Sequence, residues 1–191
     1  PNRKLRVFAF DPSVSRHIDT ASINIVTITL PWEENVEIGP VDDYLEVVDY
    51  DPASQVFYPP IDLNDPFLLA QDGLNPSESN PQFHQQMTYA VAALTIRNFE
   101  RALGRRVLWR PGPPPPGARS PQDDSHYVQR LRIHPHALRE RNAYYSPRRV
   151  ALLFGYFNPP PDVDGGLPGP VVFTCLSHDI VAHETTHAIL D

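Results

Sequence analysis

Residues 178–191 read HDIVAHETTHAILD, and this stretch decides the predicted fold class and the predicted chemistry. Ser177 precedes it as a helix-capping residue, and the apolar pattern that follows predicts a helix over about residues 178–190. On such a helix, His183 and His187 lie one turn apart on the same face. Two imidazoles placed in this way can bind a single Zn²⁺ at about 2.0–2.1 Å each.

The glutamate between the two histidines carries the predicted acid–base role. Glu184 directly follows the first histidine, so we expect it to lie beside the metal rather than to bind it. There it would act as general base towards metal-bound water, the nucleophile, whose pKa zinc lowers from about 16 towards about 7. The surrounding positions are apolar: Ile180, Val181, Ala182, Ala188, Ile189 and Leu190. A surface helix with two unrelated histidines stays open as the alternative, although polar groups among apolar neighbours need a partner to offset their burial.

Composition and charge exclude several classes of function. Hydrophobic residues make up 41% and charged residues 20% of the 191 positions, which is typical of a globular protein. The net charge of −7 gives no reason to expect nucleic acid or a membrane as a partner. Cys175 is the only cysteine, so no intrachain disulfide can form. No apolar run approaches the roughly 20 residues that span a bilayer, and no secretory signal is visible, so we expect a soluble protein of unknown compartment.

The first part of the chain predicts strands followed by irregular structure. Strands are expected at residues 5–10, 22–30 and 43–50. The β-branched run within 22–30, which Pro31 ends, indicates a buried strand. Residues 51–81 are rich in Pro, Asp, Asn and Ser, and we expect them to be mostly irregular.

A long helix is predicted over residues 81–103. Asn80 is a favourable N-cap, proline suits the first helical position, and Gly104 is a natural C-terminal stop. Further along, the pattern predicts two Pro-rich loops, at 111–122 and 158–170, and four strands. The strands are expected at 127–133, 140–145, 149–157 and 171–173, with Pro135 and Ser146-Pro147 separating the first three.

Residues 179–188, DIVAHETTHA, resemble the active-site helix of the thermolysin-like gluzincins, a family of zinc metallopeptidases. Two further segments are similar to the strands of that family. Residues 131–134, LRIH, followed by Asn142-Ala143-Tyr144, resemble the strand that leads into its edge strand, and residues 149–157 resemble the next strand. The family's edge strand hydrogen-bonds the backbone of a bound peptide.

The long predicted helix extends the resemblance towards the N-terminus. With His84, Tyr89 and Gly104-Arg105, it is similar to the helix that precedes those strands in the family. The resemblance thus covers about residues 80–191 in order and implies a zincin-like catalytic core there. It leaves residues 1–79 as an N-terminal β-rich and irregular segment.

The resemblance implies a zinc-dependent endopeptidase acting on peptide or protein substrates. His183 and His187 would be zinc ligands, and Glu184 would be general base and later proton donor. Asn142 and Ala143 would position the substrate, although an ordinary turn or edge-strand role for Asn142 stays open. The implied fold is α+β: a mixed sheet with an edge strand over the active-site cleft, backed by the long helix and the zinc-binding helix.

The chain departs from the family at its C-terminal end. In gluzincins the third zinc ligand is a glutamate on a later helix, and the groups that stabilise the oxyanion also follow later. We therefore expect the sequence to be truncated after the active-site helix, with the third ligand supplied from beyond Asp191 or by another chain. Two alternatives stay open: a non-catalytic protein that keeps the fold as a zinc staple or peptide binder, and a metal-dependent hydrolase of a non-peptide substrate.

The remaining histidines and the cysteine have plainer interpretations. His178 lies on a different helix face from His183 and is expected to be structural. His134 and His136 flank a proline and could form a small second metal site, but a hydrogen-bonded or exposed pair is favoured. A catalytic role for the thiol of Cys175 is not favoured.

Overall fold

The chain forms a mixed α+β structure in this computed structural model, which describes residues 1–13, 23–111, 128–159 and 171–191. The strands in these residues are β1 (Asn2–Phe8), β2 (Ile25–Pro31), β3 (Leu45–Val47), β4 (Tyr50–Asp51), β5 (Val56–Phe57), β6 (Leu131–Leu138), β7 (Ala143–Ser146), β8 (Ala151–Phe157) and β9 (Val172–Phe173). The helices are α1 (Pro66–Ala70), α2 (Pro81–Leu103) and α3 (His178–Leu190). The two predicted Pro-rich loops lie almost wholly outside the described residues.

Helix α2 begins and ends at the residues that the sequence predicts. The side chain of Asn80 accepts a hydrogen bond from the Gln82 N–H at 3.0 Å, which satisfies one of the free donors of the first turn. At the other end Gly104 adopts a left-handed conformation with φ of 67°, and its N–H donates to the Glu100 carbonyl at 2.9 Å. The prediction for this helix is confirmed at both ends.

The central sheet has the strand order β3-β6-β8-β7, and β9 pairs with the far end of β8. Strands β3, β6 and β8 run parallel, whereas β7 runs antiparallel to β8 and forms an edge of the sheet. Helix α2 contacts β6 and α3, and α3 contacts β7 and β8. A single hydrophobic cluster joins the sheet to both helices and includes Phe83, Met87, Leu131, Ile133, Leu152, Phe154, Val181 and Ala188. A mixed sheet with an edge strand beside the final helix is therefore present, as predicted.

Strands β1 and β2 form a separate two-stranded antiparallel ribbon that packs on α2. Phe8 meets Phe83 edge-to-face, with ring centroids 5.5 Å apart. The prediction of a buried strand here is wrong, because only Ile28 and Leu30 of β2 are buried. In a ribbon with one face on a helix, alternate side chains point to solvent, whatever their β-propensity.

Strand β6 runs through Pro135, where the sequence predicts a break. Two features of its pairing explain why a proline is tolerated. On the β3 side the Val48 N–H donates to the Ile133 carbonyl at 2.9 Å, and the Val48 carbonyl is met by the His134 ring Nδ1 at 3.0 Å instead of by a main-chain N–H of residue 135. On the other side, the register with β8 shifts between His134 and Leu138, which marks an irregularity in the ladder.

Residues 1–79 contribute strand β3 to the same sheet as the strands of residues 80–191. The division of the chain into segments 1–79 and 80–191 therefore stays a prediction that rests on the sequence resemblance. The stretch predicted to be mostly irregular contains the β4–β5 hairpin and the short helix α1. In the described part of the chain, no helix has the length and apolar character needed to cross a membrane.

Candidate metal centre and peptide groove

His183 and His187 are brought together on one face of α3. Their Nε2 atoms lie 3.0 Å apart, and the rings meet edge-to-face with centroids 4.6 Å apart. Both side chains are exposed, so the nitrogen pair faces open space rather than the core. The four-residue spacing on a regular helix produces this convergence. Imidazole nitrogens converging in this way form a suitable donor pair for a zinc-class ion.

The side chain of Glu184 points towards the edge strand β7. Its side chain is only 9% exposed, and its Oε2 accepts a hydrogen bond from the main-chain N–H of Tyr145 at 3.0 Å. Tyr145 lies on β7, whose outer edge has no strand partner among the described residues. An edge strand presents free N–H and C=O groups along that side, and one of these donors holds the carboxylate in place.

Strand β7 and helix α3 enclose an open groove of about 540 Å³. Its lining combines the edge strand with the motif: Ala143, Tyr144, Tyr145, Pro147, Glu184, His187, Leu190 and Asp191. A volume of this size lies within the range of about 300–1,000 Å³ that is typical of small-molecule and cofactor sites. The groove therefore places the predicted base, one predicted ligand and a free strand edge around one space.

The far end of the groove is closed by a polar network on Asp191. Its Oδ2 accepts a hydrogen bond from the Tyr145 hydroxyl at 3.0 Å, and its Oδ1 pairs with Arg110 at 2.8 Å. Burial, together with this bond to a carboxylate, raises the pKa of Tyr145 to about 12, so its hydroxyl stays protonated near neutral pH. Both oxygens of Asp191 are thus engaged away from the histidine pair.

A third protein ligand does not join His183 and His187 within the described ranges. The group of three metal-binding side chains that those ranges bring together lies elsewhere. Structural and catalytic zinc sites use at least three protein ligands. The arrangement on α3 is therefore a two-histidine donor pair with an adjacent carboxylate.

The predicted substrate-positioning residues lie at the start of β7. Ala143 lines the groove, whereas Asn142 lies just outside it and is exposed. The Asn142 side chain accepts a hydrogen bond from the Ala143 N–H at 2.9 Å, and its carbonyl oxygen lies 3.2 Å from the Thr174 hydroxyl. These contacts anchor the beginning of the edge strand, so Asn142 supports one wall of the groove without lining it.

A second cluster, which the motif analysis missed, lies in the interior. His84 on α2, His136 on β6 and Cys175, in the short 3-10 turn before α3, bring one ligand atom each within 4.8 Å of one another. His84 Nδ1 lies 2.8 Å from His136 Nε2, and His136 Nδ1 lies 2.6 Å from Asp49 Oδ1. All three clustered side chains are 2% exposed or less. We call these three residues the interior cluster.

Burial shifts the pKa of two members of the interior cluster, His84 and Cys175. It lowers the pKa of His84 to about 3, with the neighbouring His136 adding to the effect, so His84 is neutral near pH 7. Burial also raises the pKa of the Cys175 thiol well above its usual range. A deeply buried thiol of high pKa is a poor nucleophile, which agrees with the low expectation of a catalytic cysteine.

His134 and His136 are each hydrogen-bonded to other groups, in keeping with the favoured interpretation, and they do not share a ligand position with each other. His134 Nδ1 lies 3.0 Å from the Val48 carbonyl, while His136 contacts Asp49 and His84 instead. His178 Nδ1 lies 3.3 Å from the Phe8 carbonyl, in keeping with the predicted structural role. The members of the interior cluster are far apart in sequence and carry no spacing motif. The available signal is the polar run 84–86 in the half of the long helix where every residue from 83 to 92 is buried.

No known protein family, curated protein or solved structure matches this chain.

Proposed function

We propose that this chain is the core of a zinc-dependent metallopeptidase that hydrolyses peptide bonds in the groove between β7 and α3. One observation carries the proposal. The buried Glu184 carboxylate is held by the main-chain N–H of the edge-strand residue Tyr145, and the Nε2 atoms of His183 and His187 converge on the same helix. The base, one histidine of the donor pair and the strand edge therefore line one groove, and the second histidine lies beside the first on the same helix face.

The donor set on α3 is compatible with zinc. Two solvent-facing imidazole nitrogens that already lie 3.0 Å apart need only a small adjustment to share one ion. His183 and His187 would hold it, and the third protein ligand is proposed to come from outside the described residues, on a continuation of the chain or on another chain. When bound, zinc polarises the scissile carbonyl and lowers the pKa of the attacking water.

Glu184 is proposed to move the proton. Its carboxylate takes a proton from the attacking water and delivers it to the leaving amine, as a positioned general base and then acid. With only 9% of its surface exposed, the side chain is largely desolvated. The hydrogen bond from Tyr145 restricts the rotation of the carboxylate and keeps one oxygen engaged while the other is free to accept the proton.

Strand β7 is proposed to align the substrate. In an antiparallel pair, residues of alternate parity direct their main-chain groups away from the partner strand, and Tyr145 does so towards α3. Ala143 has the same parity, so its carbonyl faces the same edge. An extended peptide can therefore add to this edge as a further strand, which leaves its side chains to set specificity. Because the groove is open, this mode suits an endopeptidase.

Glu184→Gln tests the proposal in the protein at its natural length. The variant keeps the shape and the hydrogen bond from Tyr145 but cannot accept a proton, so kcat/KM for cleavage of a quenched fluorescent peptide should fall by at least about 10²-fold. Zinc content, measured by elemental analysis, should be unchanged, whereas His183→Ala should lose the ion on α3. Asp179→Asn, an exposed change in the first turn of the same helix, serves as control and should retain wild-type activity.

A Glu184→Gln variant that cleaves as fast as the wild type would reject the catalytic role. The non-catalytic alternative is favoured by one observation: no third ligand joins the histidine pair in the part of the chain that the structure describes. If neither the wild type nor the variant cleaves, the groove would bind an extended peptide without cutting it, and Glu184→Gln would leave peptide affinity unchanged.

A further inference from the structure

The hydrogen bonds around the interior cluster indicate which ring nitrogens of His84 and His136 carry a hydrogen. His84 Nε2 lies 3.1 Å from the Glu78 carbonyl, which can only accept, so this nitrogen carries a hydrogen. His136 Nδ1 lies 2.6 Å from Asp49 Oδ1. The other oxygen of Asp49 accepts from the Gln85 amide at 2.9 Å, so this carboxylate acts as an acceptor and His136 Nδ1 carries a hydrogen too.

These assignments leave two lone pairs facing each other. A neutral imidazole carries one N–H, so His84 Nδ1 and His136 Nε2 are both acceptors, yet they lie only 2.8 Å apart. Two lone pairs at this distance repel unless a cation lies between them. The cation is either one extra proton, shared along the hydrogen-bonded series His84–His136–Asp49, or a metal ion that both nitrogens bind.

The third member of the cluster, Cys175, favours a metal ion over a shared proton. A shared proton needs only the two nitrogens, whereas the Cys175 sulfur also lies within 4.8 Å of one nitrogen of each ring and is completely buried. Two imidazoles and a thiolate are the donor types that zinc and copper prefer. In addition, the outer nitrogen of each ring is oriented by a carboxylate or a carbonyl, as is usual for metal-bound histidines.

We infer that His84, His136 and Cys175 form a second metal site in the interior, for a thiophilic transition-metal ion of the zinc type. Binding replaces the thiol hydrogen of Cys175 by a sulfur–metal bond and releases one proton to solvent. Phe173 and Tyr58 pack against the two rings, with centroids 4.6 Å from His84 and 4.9 Å from His136 respectively. An ion here would join α2, β6 and the turn before α3, and would be taken up as the chain folds.

This site is independent of the proposed peptidase function. None of its three ligands lines the groove between β7 and α3. Its role would be structural: it connects the helix behind the sheet to the turn from which the zinc-binding helix starts. Loss of the ion should therefore lower the melting temperature, whether or not the groove is catalytic.

Cobalt substitution provides a specific test, because Cys175 is the only cysteine of the chain. The double variant His183→Ala/His187→Ala, which lacks the donor pair on α3, is refolded with Co²⁺. It should bind about one equivalent and display a thiolate-to-cobalt charge-transfer band in the near ultraviolet. Only the interior cluster can produce this band. Elemental analysis of the same variant purified without added metal distinguishes zinc from copper.

Two further variants complete the test. Cys175→Ser in the same background should lose the band, and Asp49→Asn should weaken Co²⁺ binding by about 10- to 100-fold because it replaces the carboxylate that orients His136 with a neutral amide. If Cys175→Ser does not fold, the folded double variant still decides the question. A double variant that melts cooperatively but binds no metal and has no band would overturn the inference and leave the shared proton as the cation.

Discussion

Gly155 lies where the connection between β6 and β7 passes closest to β8. A Cβ atom at this position would overlap the Glu140 carbonyl oxygen and approach the Asn142 carbonyl oxygen to 2.7 Å, and both are main-chain atoms. The Gly155 N–H donates to the Thr174 hydroxyl oxygen at 3.0 Å, and the same oxygen lies 3.2 Å from the Asn142 carbonyl. This residue therefore fixes how the edge strand of the groove begins.

Gly155→Ala should destabilise the protein by at least about 2 kcal/mol, because the added methyl group meets backbone that cannot rotate away. The free energy of unfolding, measured by urea titration, checks this expectation. The change should also weaken peptide binding in the groove, since the start of β7 must shift. A loss below about 0.5 kcal/mol would mean that the connection moves freely and that Gly155 does not position the strand.

The sequence predicts the positions of some residues of the candidate site better than those of others. The position of His183 relative to His187 follows from helical periodicity alone, and the structure brings these two residues together as expected. The contact between Glu184 and the Tyr145 N–H joins residues 39 positions apart and depends on the packing of a strand against a helix. No local pattern specifies that distance.

Helix α2 is the element that local signals define best. Gly104, which caps the helix after its last residue Leu103, has φ of 67°, and an added Cβ would meet no atom within 4 Å. The cost of a substitution there is therefore conformational and not steric. Gly104→Ala should lose about 1 kcal/mol of unfolding free energy.

Gly104→Asn is the matched control for this prediction. Asparagine tolerates the left-handed conformation better than alanine does, so the expected order of stability in urea is glycine, then asparagine, then alanine. An alanine variant as stable as the wild type would show that the last turn unwinds or that another residue ends the helix.

The strands are less predictable than the helices for a physical reason. Whether a strand is buried on one face or two depends on which elements cover it, and β2 is covered on one face only. Whether a strand tolerates proline depends on its partners, and Pro135 lies where the pairing with β3 has ended. Both wrong predictions therefore come from neighbours that are distant in sequence.

At the scale of the whole molecule, the N-terminal segment completes the structure around α2 and the sheet. Strand β3 extends the sheet beside β6, and the β1–β2 ribbon covers one side of α2. Two buried glutamines of α2 reinforce this connection. The Gln85 side-chain oxygen accepts from the Ile61 N–H at 2.9 Å, and the Gln86 amide donates to the Arg6 carbonyl at 2.8 Å.

A fragment of residues 80–191 should therefore fail to fold cooperatively, although it contains the whole of the gluzincin resemblance. Removing residues 1–79 exposes the buried side of Phe83, leaves β6 without β3 on one side and leaves both glutamines without their main-chain contacts. Near-ultraviolet circular dichroism and a urea titration, with the full chain as control, check this. A cooperative transition close to that of the full chain would instead support an independent core beginning near residue 80.

The sequence by itself determined the elements whose signals are local. The mixed sheet with an edge strand was expected from the family resemblance, whereas local signals specified α2 with both caps and the helix that carries His183, Glu184 and His187. These features depend on side-chain periodicity and on capping residues a few positions apart, and both can be read from a single sequence. The zinc ligands and the peptidase activity remain predictions that stand on this motif.

Only the tertiary structure decided which distant groups meet. It placed Glu184 against the edge strand, ran β6 through its proline, and assembled His84, His136 and Cys175 in the interior. Contacts of this kind depend on how helices and strands pack over long separations, where many arrangements satisfy the same local pattern. The interior cluster became visible for that reason only when the helix, the sheet and the turn were seen together.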